Sequence, residues 1–443
     1  MGESIKQIQT RLLKSSLFKG TAGFFALKMT YTGLTFLTSV VLARLLGAYG
    51  LGIYSYVFSW VGLLVTPAIL GLNELLVREV AIAKSEENYG LLKGLLQWTN
   101  AVVICVAFGM AILAGIVFRL IGSDASEPMI FYLALVVLPF NALGSLRTGA
   151  MKGLKKAVLG TIPEALINPL LFLGLIALGY WLRGDRLDVS LIVWIKIFTS
   201  ATIFIIGTIW LTKLAPKEIA SVKAIYRPRS WLSSSLPLMI LGFMQVMIAR
   251  SDILMLGSMK GASAVSIYVV VRYGTEFIIF VQTAANNVLS PHIASLVAEG
   301  RKPELQRIVT KGSAMIFAAS LLIGLFLVAF SDQILGLFGP EFVAGKTALI
   351  VLAIGQLVNT SVGPVGKLLA MGGYERHTAT SVTCSGILNI VLNALMIPYW
   401  GVNGAAIATA TSIIILNLVE LFLVRTKLGI DSAAWSILSR KNL

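Results

Sequence analysis

Twelve apolar stretches of roughly twenty residues or more run along this 443-residue chain, and the second six echo the first six. Each is long enough, as a helix, to cross a hydrocarbon core about 30 Å thick. The echo can be followed residue by residue. Gly47-Ala-Tyr-Gly-Leu-Gly-Ile-Tyr54-Ser-Tyr-Val57 leads into an apolar run, and Gly261-Ala-Ser-Ala-Val-Ser-Ile-Tyr268-Val-Val-Val271 does the same 214 residues later, with five of eleven positions identical. Lys93-Gly94 meets Lys311-Gly312 at an offset of 218, and Arg147-Thr-Gly-Ala-Met-Lys-Gly153 meets Lys367-Leu-Leu-Ala-Met-Gly-Gly373 at 220. Small loop insertions produce such a slowly growing offset. A duplicated six-span unit is the architecture of two-lobed membrane transporters. The expected fold is therefore all-α: a polytopic membrane protein of about 12 transmembrane helices, in two six-helix lobes related by internal repeat.

Composition excludes an ordinary soluble domain, since 57% of residues are hydrophobic, only 13% are charged and the mean hydropathy is +0.87. The spans are expected near 20–43, 51–72, 94–119, 128–149, 156–180, 189–212, 232–257, 265–289, 312–338, 343–370, 378–399 and 403–425. Residues 1–19 place Ile5, Ile8, Leu12 and Leu13 at helical spacing among Lys and Arg, an amphipathic segment suited to the inner leaflet. They carry no short apolar core with a small-residue cleavage site, so the first span is expected to remain as an anchor. The lobes are 20–212 and 232–425. A basic interfacial linker, 213–231, joins them, and 426–443 forms a tail in which Trp435, Ile437 and Leu438 suit another interfacial piece.

The net charge of +16 raises nucleic acid as a partner, and its distribution removes it. With the N-terminus inside, the inner segments hold 24 of the 36 Lys and Arg. The outer loops hold six: Arg44, Arg119, Arg183, Arg186, Lys260 and Lys346. That bias is the positive-inside rule, and it places both termini in the cytoplasm with inner-leaflet lipid as the contact. Cys105 and Cys384 fall inside spans and offer no disulfide framework, and with His292 and His377 alone no metal site or cofactor is expected.

The chemistry lies in charges within the spans. Six cations (Lys28, Arg147, Lys196, Arg250, Arg272 and Lys367) are accompanied by four carboxylates, Glu164, Asp252, Glu276 and Glu420. A charge near the centre of a spanning helix costs about 2.5–3.5 kcal/mol, so ten facing lipid would cost roughly 25–35 kcal/mol. Most must face an aqueous cavity or one another. Arg272 and Glu276, four apart on one helix face, suit an ion pair as well as a site. Asp252 lies about 200° round the helix from Arg250, so those two are not expected to pair. Arg147 and Lys28 are near enough to the inner surface to snorkel, and Glu420 is close to Arg425 and suits the interface. Lys196, Arg250 and Arg272 lie in outer halves of spans, where topology gives no reason for a cation. A cavity lined by these six cations suits an anionic group such as a diphosphate, and the repeat pairs Arg147 with Lys367 across the lobes. Glu164, Asp252 and Glu276 are the candidates for coupling to a proton or Na⁺. Prolines and glycines within the spans suit either close helix packing or bending points.

Several stretches resemble a known family. Leu42-Ala-Arg-Leu-Leu-Gly-Ala-Tyr-Gly-Leu-Gly-Ile-Tyr54 followed by Leu70-Gly-Leu-Asn-Glu-Leu-Leu-Val-Arg-Glu-Val-Ala81 is similar to the start of the polysaccharide-biosynthesis (O-antigen type) flippases. These belong to the multidrug/oligosaccharidyl-lipid/polysaccharide exporter superfamily. Arg250-Ser-Asp-Ile-Leu-Met-Leu-Gly257, Leu289-Ser-Pro-His-Ile-Ala-Ser-Leu-Val-Ala-Glu-Gly300 and Gly401-Val-Asn-Gly-Ala-Ala-Ile-Ala408 continue the likeness in order and spacing. The resemblance implies two six-helix lobes in a V and movement of a polyprenyl-diphosphate-linked glycan across the cell membrane by alternating access. It also implies that charged cavity residues matter, at Arg250 and Asp252 here. Lipid II flippases of this superfamily commonly carry two further helices that this chain lacks.

Other classes compete less well. A multidrug exporter of the same fold, driven by H⁺ or Na⁺, would favour an acidic, aromatic-lined cavity, against the basic surplus seen here. A glycan polymerase or ligase would need larger outer loops, so no catalytic residues are assigned. A scaffold would not need ten charges in its spans, and the sugar-porter loop signature between spans two and three is absent. The expected partners are a lipid-linked oligosaccharide, membrane lipids and a glycan polymerase or glycosyltransferases acting beside a monomer.

Overall fold

Lipid offers a backbone no hydrogen-bond partners, so a spanning chain must satisfy its own, and this one does so with helices. The computed structural model describes residues 2–121, 128–184 and 187–436. Arg186, Ile437 and Leu438 lie outside the described residues, as do the side chains of residues 1–22. The helices are α1 (Gly2–Ile69), α2 (Leu72–Ser85), α3 (Tyr89–Ile121), α4 (Pro128–Leu135), α5 (Val137–Gly153), α6 (Ala157–Ile162), α7 (Asn168–Arg183) and α8 (Val189–Leu214). There follow α9 (Pro228–Lys260), α10 (Ala262–Ala298), α11 (Lys302–Ala329), α12 (Ser331–Gly336), α13 (Lys346–Ser361), α14 (Val365–Met371) and α15 (Glu375–Leu423). No strand occurs among the described residues.

Among the described residues ten helical stretches are long and apolar enough to cross a membrane, and two of them, Ala26–Ile69 and Glu375–Leu428, are 44 and 54 residues long. A crossing needs about twenty residues, so each of these two carries a pair of crossings, twelve in all. The pairs divide at Gly47 (φ 65, ψ −177) and Gly401 (φ 52, ψ −125), where the backbone leaves helical geometry. The protein is thus a polytopic membrane protein. Its outward side chains agree: Trp181, Tyr399, Phe422 and Leu120 are mostly exposed, an apolar exterior that water would not tolerate.

The internal repeat is written in the backbone. Gly47 and Gly261, 214 apart, share one conformation, φ 65 with ψ −177 and φ 83 with ψ −179. That region is essentially reserved for glycine. Gly184 and Gly401, 217 apart, share another. The ends of α2 and α10 close with the same reversal, left-handed at Glu87 and Gly300, and so do α5 and α14, at Lys155 and Gly373. In the second pair Lys156 N–H donates to the Met151 carbonyl and Tyr374 N–H to that of Leu369, both 2.9 Å. This fixes the offset there at 218 rather than 220. Arg147 is therefore matched with Val365, and Lys367 with Gly149; the pairing of Arg147 with Lys367 expected from sequence is two residues out of register.

Two compact units make up the chain. The first is Met1–Leu46 with Tyr56–Arg250, and the second is Gly47–Ser55 with Ser251–Leu443. In the first, α2 buries Leu72, Leu75, Leu76, Val80 and Ala83 at helical spacing, against α5. Gly149 makes that contact possible, since a Cβ there would lie 2.4 Å from the Asn73 carbonyl oxygen. The basic linker is docked on its own unit. Ile225 N–H donates to the Gly90 carbonyl at 2.9 Å, Lys93 Nζ holds the carbonyls of Ala220 and Val222, and Trp231 is buried against Trp98. In the second unit the tail does the same job. Gln306 and Thr310 of α11 hold the Asp431 backbone, and Ala434 N–H donates to the Ser361 carbonyl at 2.7 Å. Each repeat thus ends in a short strap lying back on its own helices.

Candidate functional site

Six of the ten charges within the spans gather into one cluster in each unit. In the first unit, α5 presents Arg147, and a π-helical turn at Pro163–Ile167 leads into α7. Pro163 has no N–H to give the preceding turn, and Asn168 N–H reaches back five residues to its carbonyl. Such bulges recur at functional sites. This one carries Glu164 and Asn168. Arg147 does not snorkel: only 8% of it is exposed. Its Nη1 donates to the carbonyls of Ile203 and Phe204 of α8 at 3.2 and 2.6 Å, its Nη2 lies 3.8 Å from Glu164 Oε1, and its guanidinium sits 4.8 Å from the Phe204 ring centre. Two glycines make the space. A Cβ on Gly207 would fall 2.1 Å from Arg147 Nη1, and one on Gly144 would fall 2.8 Å from Glu164 Oε1.

Lys196 of α8 completes the group. Its Nζ donates to Asn168 Oδ1 at 3.4 Å and lies 5.1 Å from the Phe172 ring centre, while Asn168 Nδ2 donates to Glu164 Oε2 at 3.4 Å. Two cations thus share one carboxylate, which leaves the cluster one positive charge in surplus. A cavity of about 10 Å³ lies between Arg147, Glu164, Thr148 and Trp210, about the room one water needs. Arg250 is elsewhere in this unit, 3.5 Å from Ser59 Oγ, with its guanidinium over the face of Gly62. Lys28 is exposed, its ammonium 5.6 Å from the Tyr31 ring centre.

In the second unit the centre is Asp252 of α9, 2% exposed. Tyr268, wholly buried on α10, donates its hydroxyl to Asp252 Oδ2 at 2.6 Å, Ile253 N–H donates to Oδ1 at 2.9 Å, and Arg272 Nη1 lies 3.5 Å from Oδ1. Arg272 therefore has an ion pair with Asp252, with exposed Glu276 adding its field from one turn along α10. The network continues through neutral groups. Tyr268 Oη is 3.2 Å from Thr409 Oγ1, and Asn389 Nδ2 donates to that same Thr409 oxygen at 3.2 Å. Asn389 Oδ1 accepts from Ser251 and Asn393, at 3.3 and 3.0 Å, while Asn393 Oδ1 is buried with no donor. An aspartate, two asparagine amides and three hydroxyls from α9, α10 and α15 make up this network. Asp252 and Arg250 do point apart, as their spacing requires. Lys367 of α14 is exposed and outside this network.

Glu420 corrects the sequence reading. Arg425 turns to Asp431, with Nη2 3.0 Å from both carboxylate oxygens, and Glu420 is buried at 5% exposure. Sequence reasoning also passed over the neutral partners Asn168, Tyr268, Asn389, Asn393 and Thr409. The available signals were amide pairs four apart on apolar helices (Asn389 and Asn393), an asparagine four after Glu164, and the tyrosine inside the repeated Gly261–Val271 motif.

Known proteins agree with this fold. Residues 17–297, more than half of the chain, match the family described as polysaccharide biosynthesis protein, and 237–395 match the MatE family. A probable low-salt glycan biosynthesis flippase of Haloferax volcanii is 22% identical over 409 residues, covering 90% of this chain and 81% of its own. A probable flippase of the same organism is 26% identical over 272 residues, covering 60% and 54%. Among solved structures, an inward-facing multidrug resistance MATE family transporter of the MOP superfamily superposes with a TM-score of 0.73 at 12% identity, over 93% of this chain and 96% of that one. The lipid II flippase MurJ in an inward closed conformation gives 0.67 at 13% identity, over 91% and 87%. These structural likenesses concern the fold. On the sequence match, the chain belongs to the polysaccharide biosynthesis protein family.

Proposed function

We propose that this protein is a flippase. It carries a polyprenyl-diphosphate-linked oligosaccharide from the cytoplasmic to the outer leaflet of the cell membrane by alternating access, for cell-surface polysaccharide assembly. Both termini are cytoplasmic, the protein works as a monomer, and no covalent chemistry occurs. The observation that carries this reading is the unneutralised positive charge inside the spans, where Arg147 and Lys196 share the single carboxylate Glu164. A diphosphate is a fitting counterion, because a guanidinium fork and a mobile ammonium bind its oxygens by charge-assisted hydrogen bonds. Arg250, Arg272, Lys196, Lys28, Arg147 and Lys367 are the proposed phosphate-handling cations. Family membership and the names of the two Haloferax volcanii relatives support the same substrate class. A glycan polymerase or glycosyltransferases would consume or supply the lipid-linked sugar.

Asp252 is the foremost candidate for ion coupling, with Glu276 and Glu164 behind it. Its buried carboxylate holds the Tyr268 hydroxyl and the Ile253 N–H and suits a proton or Na⁺, and Arg272 is already present as an internal substitute cation. Binding an ion at Asp252 would free Arg272 for the substrate, which links the two roles through one side chain.

A second reading, a multidrug exporter of the same fold driven by H⁺ or Na⁺, is favoured by the match of residues 237–395 to the MatE family. One experiment separates them: translocation of a fluorescent polyprenyl-diphosphate oligosaccharide in proteoliposomes, beside efflux of an organic-cation dye. Lipid-linked glycan movement without dye efflux is expected, and dye efflux alone would replace the flippase with the exporter.

A further inference from the structure

Glu420 belongs to neither cluster, and nothing near it accounts for a charge. It is 5% exposed, on α15 one turn before the closing π-helical turn Val424–Leu428. Its Oε1 is buried without a hydrogen-bond partner. The carboxyl fits over Gly366 of α14, where a Cβ would lie 3.0 Å from Oε2 and 3.5 Å from Oε1. Around this notch, Val362, Val365, Leu369, Leu421 and Val424 form part of one apolar core. Asn417, one turn earlier, spends its amide on the Ile413 carbonyl at 2.8 Å.

Charged groups on the neighbouring elements offer nothing. Lys367 on α14, His292 on α10 and Lys427 in the closing turn are exposed; Arg425 holds Asp431; Arg272 on α10 holds Asp252. No ion pair to Glu420 occurs among the described residues. An ionised carboxylate buried in apolar surroundings with no cation beside it costs several kcal/mol or more, and such a group takes up a proton instead. Because the burial is by protein, this holds whatever the depth of Glu420 in the bilayer.

The repeat sharpens the point. At the offsets of 217 and 218, Glu420 is matched with Ile203 on α8, and Gly366 with Thr148, next to Arg147 on α5. The corresponding helix pair in the first unit therefore also buries one charge against a glycine notch, but of the opposite sign. There Arg147 has two carbonyls and Glu164 for partners. In the second unit the partners are missing.

We propose that Glu420 is a proton-binding site of the second unit, separate from Asp252. It carries its proton while α14 and α15 are in contact and yields it to water when that contact parts. The consequence for transport rests on the flippase reading; the protonation does not.

The test uses the full chain in liposomes. An apolar carbodiimide attacks protonated carboxyls in apolar surroundings, and peptide mass spectrometry locates the product. Glu420 should be labelled about a hundredfold more than exposed Glu218 and Glu375, which water solvates. Infrared spectroscopy covers the case in which burial excludes the reagent: a carboxylic-acid C=O band that shifts in D₂O should vanish in Glu420→Gln. If labelling does not exceed that of Glu218 and no such band is lost, the proposal is overturned. Glu420→Gln, an isostere of the protonated acid, should retain the fold and give glycan flux that varies less with pH than that of the wild type. Wild-type protein that moves no glycan would sink the flippase reading while leaving the spectroscopic answer intact.

Discussion

At the scale of single residues, function and stability hang on how few partners each buried charge has. Arg147 reaches its carbonyls only because position 207 has no side chain, so Gly207→Ala should act like Arg147→Ala although it removes no charge. A charge-assisted hydrogen bond is worth about 1.5–3 kcal/mol, and glycan flux in proteoliposomes should fall by roughly ten- to a hundredfold in both variants at normal abundance. Flux unchanged in Gly207→Ala would take Arg147 out of the mechanism. Tyr268→Phe removes the hydroxyl that serves Asp252 Oδ2 and strands a buried oxygen. It should cost about 1–3 kcal/mol of stability, read as a lowered thermal midpoint, whereas Asp252→Asn should abolish flux with a smaller thermal change. Arg250, Arg272 and Asp252 stood out in the sequence, because an ion in an apolar run is rare. Their partners did not. Asn168, Thr409 and Asn389 are ordinary polar residues of transmembrane helices until the fold shows which oxygen each one faces.

At the scale of elements, the repeat is carried by turns more than by side chains. The backbone at Gly401 is open to few other residues, and Gly401→Ala should destabilise the protein by about 1–3 kcal/mol. Gly109→Ala, on a helical glycine with nothing within 4 Å of the added methyl, should be neutral or stabilising by up to about 1 kcal/mol. Denaturation of the purified variants checks the contrast; equal effects would remove the strain argument. The linker strap gives a second test. A Cβ at Gly94 would lie 2.0 Å from the Ile225 carbonyl oxygen, so Gly94→Ala should lift the strap and hasten trypsin cleavage after Lys223. Span positions were legible because twenty apolar residues admit few alternatives. Helix α2 was not, since its fourteen residues are too short and too charged to read as a span, and its burial depends on Gly149 and Gly153 opposite. The register error between Arg147 and Lys367 has a similar origin: small-residue motifs align almost equally well two residues out, and only the left-handed turns at Lys155 and Gly373 settle the offset.

At the scale of the whole molecule, the proposed orientation in the membrane rests on the distribution of cations and can be measured directly. With Cys105 and Cys384 replaced by Ser, single cysteines at Lys223 or Arg301 should react with a membrane-impermeant maleimide only from the cytoplasmic side, and those at Lys260 or Lys346 only from outside. The reverse pattern would invert the proposed direction of transport. The division of the chain into its two units also bears on how the protein is made. Residues 213–250 complete the first unit, while Gly47–Ser55 belongs with a unit whose remainder begins about two hundred residues later. A ribosome inserting this chain therefore releases a short piece of the second unit early and must keep it unpaired through most of the first unit's synthesis. Cutting the gene between its two sequence repeats would strand that piece on the wrong fragment and strip Gly90 and Gly94 of their cover. Halves divided there should misfold when expressed separately, whereas co-expression restores both missing parts.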